Sequence, residues 1–117
     1  MLIGAHSILF ADDPGAARAF FRDVLGLPAV DAGGGWLIFA LPPAEAAVHP
    51  GPAGECRLYL MCDDIAATMA DLERKGAEFT APVRRERWGL VTGVRVPGAG
   101  EIGLYQPTHP SPLPESA

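Results

Sequence analysis

A helix signal that occurs twice constrains this chain more than any other feature. Asp13 can accept hydrogen bonds from the free N–H groups of a first helical turn, and Pro14 suits the first helical position, where its missing donor costs nothing. Ala17, Phe20, Phe21, Val24 and Leu25 then fall on one helical face, and Gly26 supplies a left-handed terminator. About fifty residues later Asp64 repeats the cap, Ile65, Met69 and Leu72 repeat the stripe, and Gly76 repeats the stop. Trp36 pairs with Trp88, and Val48-His49-Pro50 with Tyr105-Gln106-Pro107, at nearly the same offset. The chain is therefore read as a duplicated unit.

Each unit reads as strand, helix and three strands, an α+β arrangement. Module one spans 1–50, with strands expected at 2–10, 29–32, 36–41 and 44–49. Gly33-Gly34-Gly35 forms a turn between the second and third, and Pro42-Pro43 a corner before the fourth. Residues 51–55 have a linker composition. Module two spans 56–107, with a strand at 56–62, a helix at 64–75 and strands at 78–83, 89–96 and 101–106. The tail, 108–117, holds three prolines and no stripe, so it is expected to be flexible, and His109 within it to be inert.

At 117 residues the chain is expected to be one domain with a sizeable core. A net charge of -5 argues against a nucleic-acid or anionic-membrane surface. The densest basic run, Arg84-Arg85-Glu86-Arg87, is broken by a glutamate and reads as a solvated loop. No run approaches the ~18 apolar residues that span a bilayer. Residues 1–10 lack a basic leader and read as a strand rather than a signal peptide. Cys56 and Cys62 lie on one expected strand, roughly 20 Å apart at about 3.3 Å per residue, so they cannot bridge each other. Two free thiols suit a cytoplasmic location.

One module alone would leave a sheet face uncovered, so two are expected to enclose a concave surface. Strand alternation names its lining. His6, Ile8 and Phe10 share one face, as do Arg57, Tyr59 and Met61. If Ile102 and Leu104 pack on a helix, Glu101, Gly103 and Tyr105 face the cup. In strand 44–49 the bulk of Val48 turns Glu45, Ala47 and His49 cupward, whereas aligning the module-end prolines selects Ala46; this register stays open.

Several stretches resemble a known family: His6-x-x-Leu9-x-x-x-Asp13, Phe20-Phe21-Arg22-Asp23-Val24-Leu25-Gly26, Cys62-Asp63-Asp64-Ile65, Trp88-Gly89-Leu90 and Pro97–Pro107. They resemble the vicinal oxygen chelate superfamily, which includes glyoxalase I, bleomycin-resistance proteins and extradiol dioxygenases. The resemblance covers residues 2–107. It implies two βαβββ modules forming a cupped eight-stranded mixed sheet with a central cavity. In metal-dependent members the first and last strands of each module supply His, Gln or Glu ligands. Here those positions hold His6, Arg57, Gly103 and Ala46, with Glu45 or Ala47 after a one-residue slip. At least two ligands are missing, so no metal cofactor is expected. The alternative is one divalent ion (Zn, Fe, Mn or Ni) held by His6, Glu45, His49 and Glu101.

The leading expectation is a metal-independent, small-molecule-binding protein resembling the bleomycin-resistance branch, and a homodimer. Its ligand would meet His6, Arg57, Tyr59, Met61, Trp36, Trp88 and Tyr105. Arg57 would either pair with Glu101 or Glu45 or bind an anionic ligand. The rivals are a metal-dependent lyase, isomerase or dioxygenase, and a scaffold whose cup is filled by its own side chains. Whether the modules pair within a chain or across a swapped dimer is left open.

Overall fold

The computed structural model describes residues 6–45, 47, 50, 53 and 56–113. Both helices form where the caps place them. Helix α1 spans Pro14–Asp23, with Asp13 Oδ1 accepting from Ala16 N at 3.1 Å. Helix α2 spans Ile65–Arg74, with Asp64 Oδ1 accepting from Ala67 N at 3.0 Å. After α2, Gly76 takes φ +97 and lets Ala77 N reach Leu72 O at 2.9 Å, closing the helix end. Each cap satisfies a donor that would otherwise be orphaned. Asp13→Ala and Asp64→Ala are each expected to cost about 1 kcal/mol in denaturant unfolding. Unchanged midpoints would show that these carboxylates do not cap.

Among the described residues six strands form two sheets. Strands β1 (Ala29–Asp31) and β2 (Leu37–Phe39) make an antiparallel hairpin. Its turn is held by Asp31 Oδ1, which accepts from Gly33 N and Gly35 N. The second sheet has the order β3-β6-β5-β4, from β3 (Tyr59–Met61), β4 (Arg84–Glu86), β5 (Gly89–Val96) and β6 (Gly100–Pro107). Strand β3 runs parallel to β6, and the other neighbours are antiparallel.

The edge strand departs from the expected span 78–83. Phe79 bridges Val94, and pairing resumes at Arg84 opposite Val91, so the backbone bulges around Pro82, which has no donor to give. The buried Thr92 hydroxyl donates to Ala81 O at 2.6 Å and so satisfies a carbonyl that the bulge frees.

Ala17 and Phe20 of α1 share one core with Ile65 and Leu72 of α2 and with Val94, Val96, Ile102 and Leu104 of the sheet. Both helices therefore contribute to a single core, and Ile102 and Leu104 point helixward as alternation requires. A second link joins the halves at the β5–β6 turn, where Asp13 N donates to Gly98 O at 3.0 Å.

The eight-stranded sheet is not formed by the described residues. Residues 6–10 carry no strand, and Ile8 (67%) and Phe10 (86%) lie exposed. Residues 44, 45 and 47 carry none either; His49, most of the linker and residues 1–5 fall outside the described residues. A strand exists only as a partner's complement, and among the described residues neither segment has one.

Candidate ligand-binding site

The face of the four-stranded sheet turned away from the helices is paved with glycine and roofed with aromatic rings. Gly103 lies opposite Tyr59 in the β3–β6 ladder and opposite Gly93 in the β5–β6 ladder. The Tyr59 ring lies over Gly103: a Cβ there would sit 2.8 Å from Tyr59 Cγ and closer still to Cδ1 and Cε1. Gly89 serves Tyr105 in the same way, since a Cβ at 89 would lie 3.1 Å from Tyr105 Cδ2 and 2.5 Å from Gln106 O. Tyr59, Trp88 and Tyr105 meet edge to face, with ring centroids 5.2–5.9 Å apart. Met61, opposite Tyr105 in the ladder, is half-buried.

Tyr105 is the centre of this face and is buried. Its hydroxyl donates to Glu45 Oε1 at 3.2 Å and lies 3.1 Å from His109 Nε2. Burial, then the hydrogen bond and charge of Glu45, push the phenol from 10.0 up to about 12. The phenol is thus a proton donor at neutral pH. Since the folded value is the higher one, its contribution to stability is complete below about pH 10 and is lost as pH rises toward 12. Tyrosinate absorbance should contain a late-titrating component that Tyr105→Phe removes. Its survival in that variant would reassign it to Tyr59, the other tyrosine.

The remaining expected residues are dispersed. Trp36 is exposed at the hairpin turn, with the Arg18 guanidinium 4.9 Å from its ring centroid, and its ring contact is with Arg18 rather than with the aromatic trio. It matches Trp88 by offset, yet among the described residues of module one the sheet that carries it has two strands. His6 and Arg57 are exposed. Glu101 accepts from the Thr80 hydroxyl at the far end of β6, whereas Glu45 is bound to Tyr105. Burial pushes the Cys62 thiol up, which keeps it protonated, and Cys56 is exposed.

The Tyr59 ring fills the space that a ligating side chain at 103 would need, and Glu45 and Glu101 are engaged at separate places. Among the described residues no three His, Cys, Asp or Glu side chains converge.

Sequence reasoning missed the tail. Residues 108–113 are tied down: Thr108 N donates to Trp88 O at 3.0 Å, His109 stacks on Tyr105, and the Ser111 hydroxyl donates to Glu45 Oε2 at 2.6 Å. These residues have no periodicity, so only their side-chain types could have drawn notice.

With this geometry in place, the family follows from comparison. Residues 4–100 match the model of the Glyoxalase/Bleomycin resistance protein/Dioxygenase superfamily. The chain belongs to that superfamily. No curated protein matches it. Among solved structures it is similar to TnmS3, an antibiotic binding protein from Streptomyces sp. CB03234, with 27% identity, 92% of this chain and 100% of that one covered, and a TM-score of 0.61. A lactoylglutathione lyase from Agrobacterium tumefaciens shares the fold at 22% identity, covering 89% and 92%, with a TM-score of 0.64. So does a superfamily member from Sphaerobacter thermophilus, at 20% identity, 90% and 98% coverage and a TM-score of 0.62.

Proposed function

We propose that this superfamily member binds a small planar aromatic or amphipathic molecule without a metal ion, on the face formed by Tyr59, Met61, Trp88 and Tyr105. The observation that carries the reading is the aromatic trio laid over a glycine floor, three rings with a hydroxyl donor at the centre. The antibiotic-binding relative supports a binder over an enzyme. The ligand-like position at 103 holds a glycine, which favours metal independence. Arg57, two residues before Tyr59, and His6 would stand at the cup's rim. The test is titration of the chain with planar aromatics, followed by Trp fluorescence, before and after chelation. Binding is expected to survive chelation and to be lost in Trp88→Ala. Loss on chelation, or near one zinc, iron, manganese or nickel ion per chain, would overturn it.

The same reading includes a homodimer that completes the cupped eight-stranded sheet, in a reducing, cytoplasmic setting. Val30 and Trp36 are exposed with Ile8 and Phe10. Pairing of residues 6–10 and 44–49 with a second copy would supply the two strands that the described residues do not form. Light scattering at increasing dilution should report a dimer, and a monomer at every concentration would refute this part. Among the described residues no helix is long and apolar enough to cross a membrane.

A further inference from the structure

His109 shows what the aromatic face accepts. Its ring stacks on Tyr105 with centroids 5.9 Å apart and planes 29° apart, whereas the rings of Tyr59 and Trp88 meet Tyr105 at 87° and 76°. Its Nδ1 lies 2.7 Å from Pro110 O, and a carbonyl only accepts, so Nδ1 carries a proton. The other nitrogen, Nε2, is 3.3 Å from Glu45 Oε1 and 3.1 Å from the Tyr105 hydroxyl. Glu45 has only 16% of its side chain exposed and also receives the Tyr105 and Ser111 hydroxyls. This is a recessed carboxylate beside a stacking surface, filled by the chain's own imidazole.

The imidazole is held by a short strap without regular structure. Thr108 fixes it through Trp88 O and Arg87 O, and Ser111 through Glu45 and Leu113 N. The core beneath the helices does not include any strap residue. Lifting the strap would therefore uncover the site and leave that core in place.

We propose that Thr108–Leu113 is a displaceable strap over the binding face, and that the ligand is a planar aromatic cation with N–H donors that takes the place of His109, stacking on Tyr105 and donating to Glu45. This rests on the small-molecule reading above and gives that ligand a charge. An anion placed on Tyr105 would meet the Glu45 carboxylate, whereas a cation with N–H groups restores the donor that Glu45 loses when the Ser111 hydroxyl lifts away with the strap. The net charge of -5 favours approach of a cation. The strap competes with the ligand, so the affinity of the parent chain is reduced by the fraction of molecules in which it is closed.

The test uses three isosteric probes, benzamidine, benzamide and benzoate, titrated by calorimetry into the full-length parent, His109→Ala, Ser111→Ala and Glu45→Gln. Benzamidine should bind the parent in preference to the other two, and His109→Ala should bind it about tenfold more tightly. Ser111→Ala, which loosens the strap and keeps the stack, should shift affinity the same way by less. Glu45→Gln should erase the preference for the cation. Equal benzamidine affinity in parent, His109→Ala and Ser111→Ala, or a preference for benzoate, would overturn the strap and its cationic ligand while leaving the small-molecule reading intact. If no planar aromatic, these three included, binds the parent or His109→Ala, the small-molecule reading itself fails.

Discussion

Gly103→Ala is expected to destabilise the chain by about 3 kcal/mol and to dismantle the binding face. The φ of Gly103 is not positive, so the backbone imposes no demand for glycine. Space does. A methyl group at 103 would lie 2.8 Å from Tyr59 Cγ, an atom too near the backbone to swing aside, so the whole ring must leave. With it go the edge-to-face contacts to Trp88 and Tyr105, each worth about 0.5–1.5 kcal/mol. A double-mutant cycle in urea checks the cause. In a Tyr59→Ala background the added methyl should cost little, because the ring it displaces is gone. Equal losses in both backgrounds would place the strain elsewhere in β6.

The features legible in the sequence are those set by local chemistry. Asp13, Asp64 and the glycines that follow each helix act within a few residues of themselves, and both helices form between them. Strand β5 occupies the expected span, bounded by a turn at each end. Alternation placed Tyr59 and Tyr105 on one face because Ile102 and Leu104 fix its phase by entering the core. Pairing is not local, and there the reading ran out. Residues 6–10 alternate like a strand, but alternation does not supply the neighbour to which a strand must bond. At the edge of the second sheet, Pro82 interrupts the strand expected at 78–83. The Thr92 hydroxyl, ten residues away, allows pairing to resume beyond it.

The site divides along the same line. The offset that relates Trp36 to Trp88 carries residue type but not surroundings. One ring joins Tyr59 and Tyr105 while the other lies under Arg18 at a hairpin turn. His109 and Ser111 belong to no repeat, and four residues beyond Tyr105 the chain folds back over it. Prolines at 107, 110 and 112 exclude helix or ladder continuation there, and a bent strap without regular structure satisfies the same restriction.

The contact that joins the two halves gives the second large effect. Gly98→Ala is expected to cost about 3 kcal/mol, in two parts. Gly98 has φ +79, which strains any L side chain, and its Cβ would lie 2.5 Å from Asp13 O and 2.6 Å from Asp13 Cβ. Asp13 cannot retreat without surrendering both its N–H bond to Gly98 O and the cap it makes on Ala16. Gly100 isolates the first part, since it has the same φ of +79 but nothing within 4 Å of a Cβ. Gly100→Ala should therefore cost only the backbone strain, about 1–2 kcal/mol. Urea unfolding of the two variants measures the difference, which belongs to docking of α1 on the β5–β6 turn. Equal losses would mean that α1 does not dock there in solution. A Gly98→Ala deficit that grows on dilution would place the contact between two chains rather than within one, because only an intermolecular contact depends on protomer concentration.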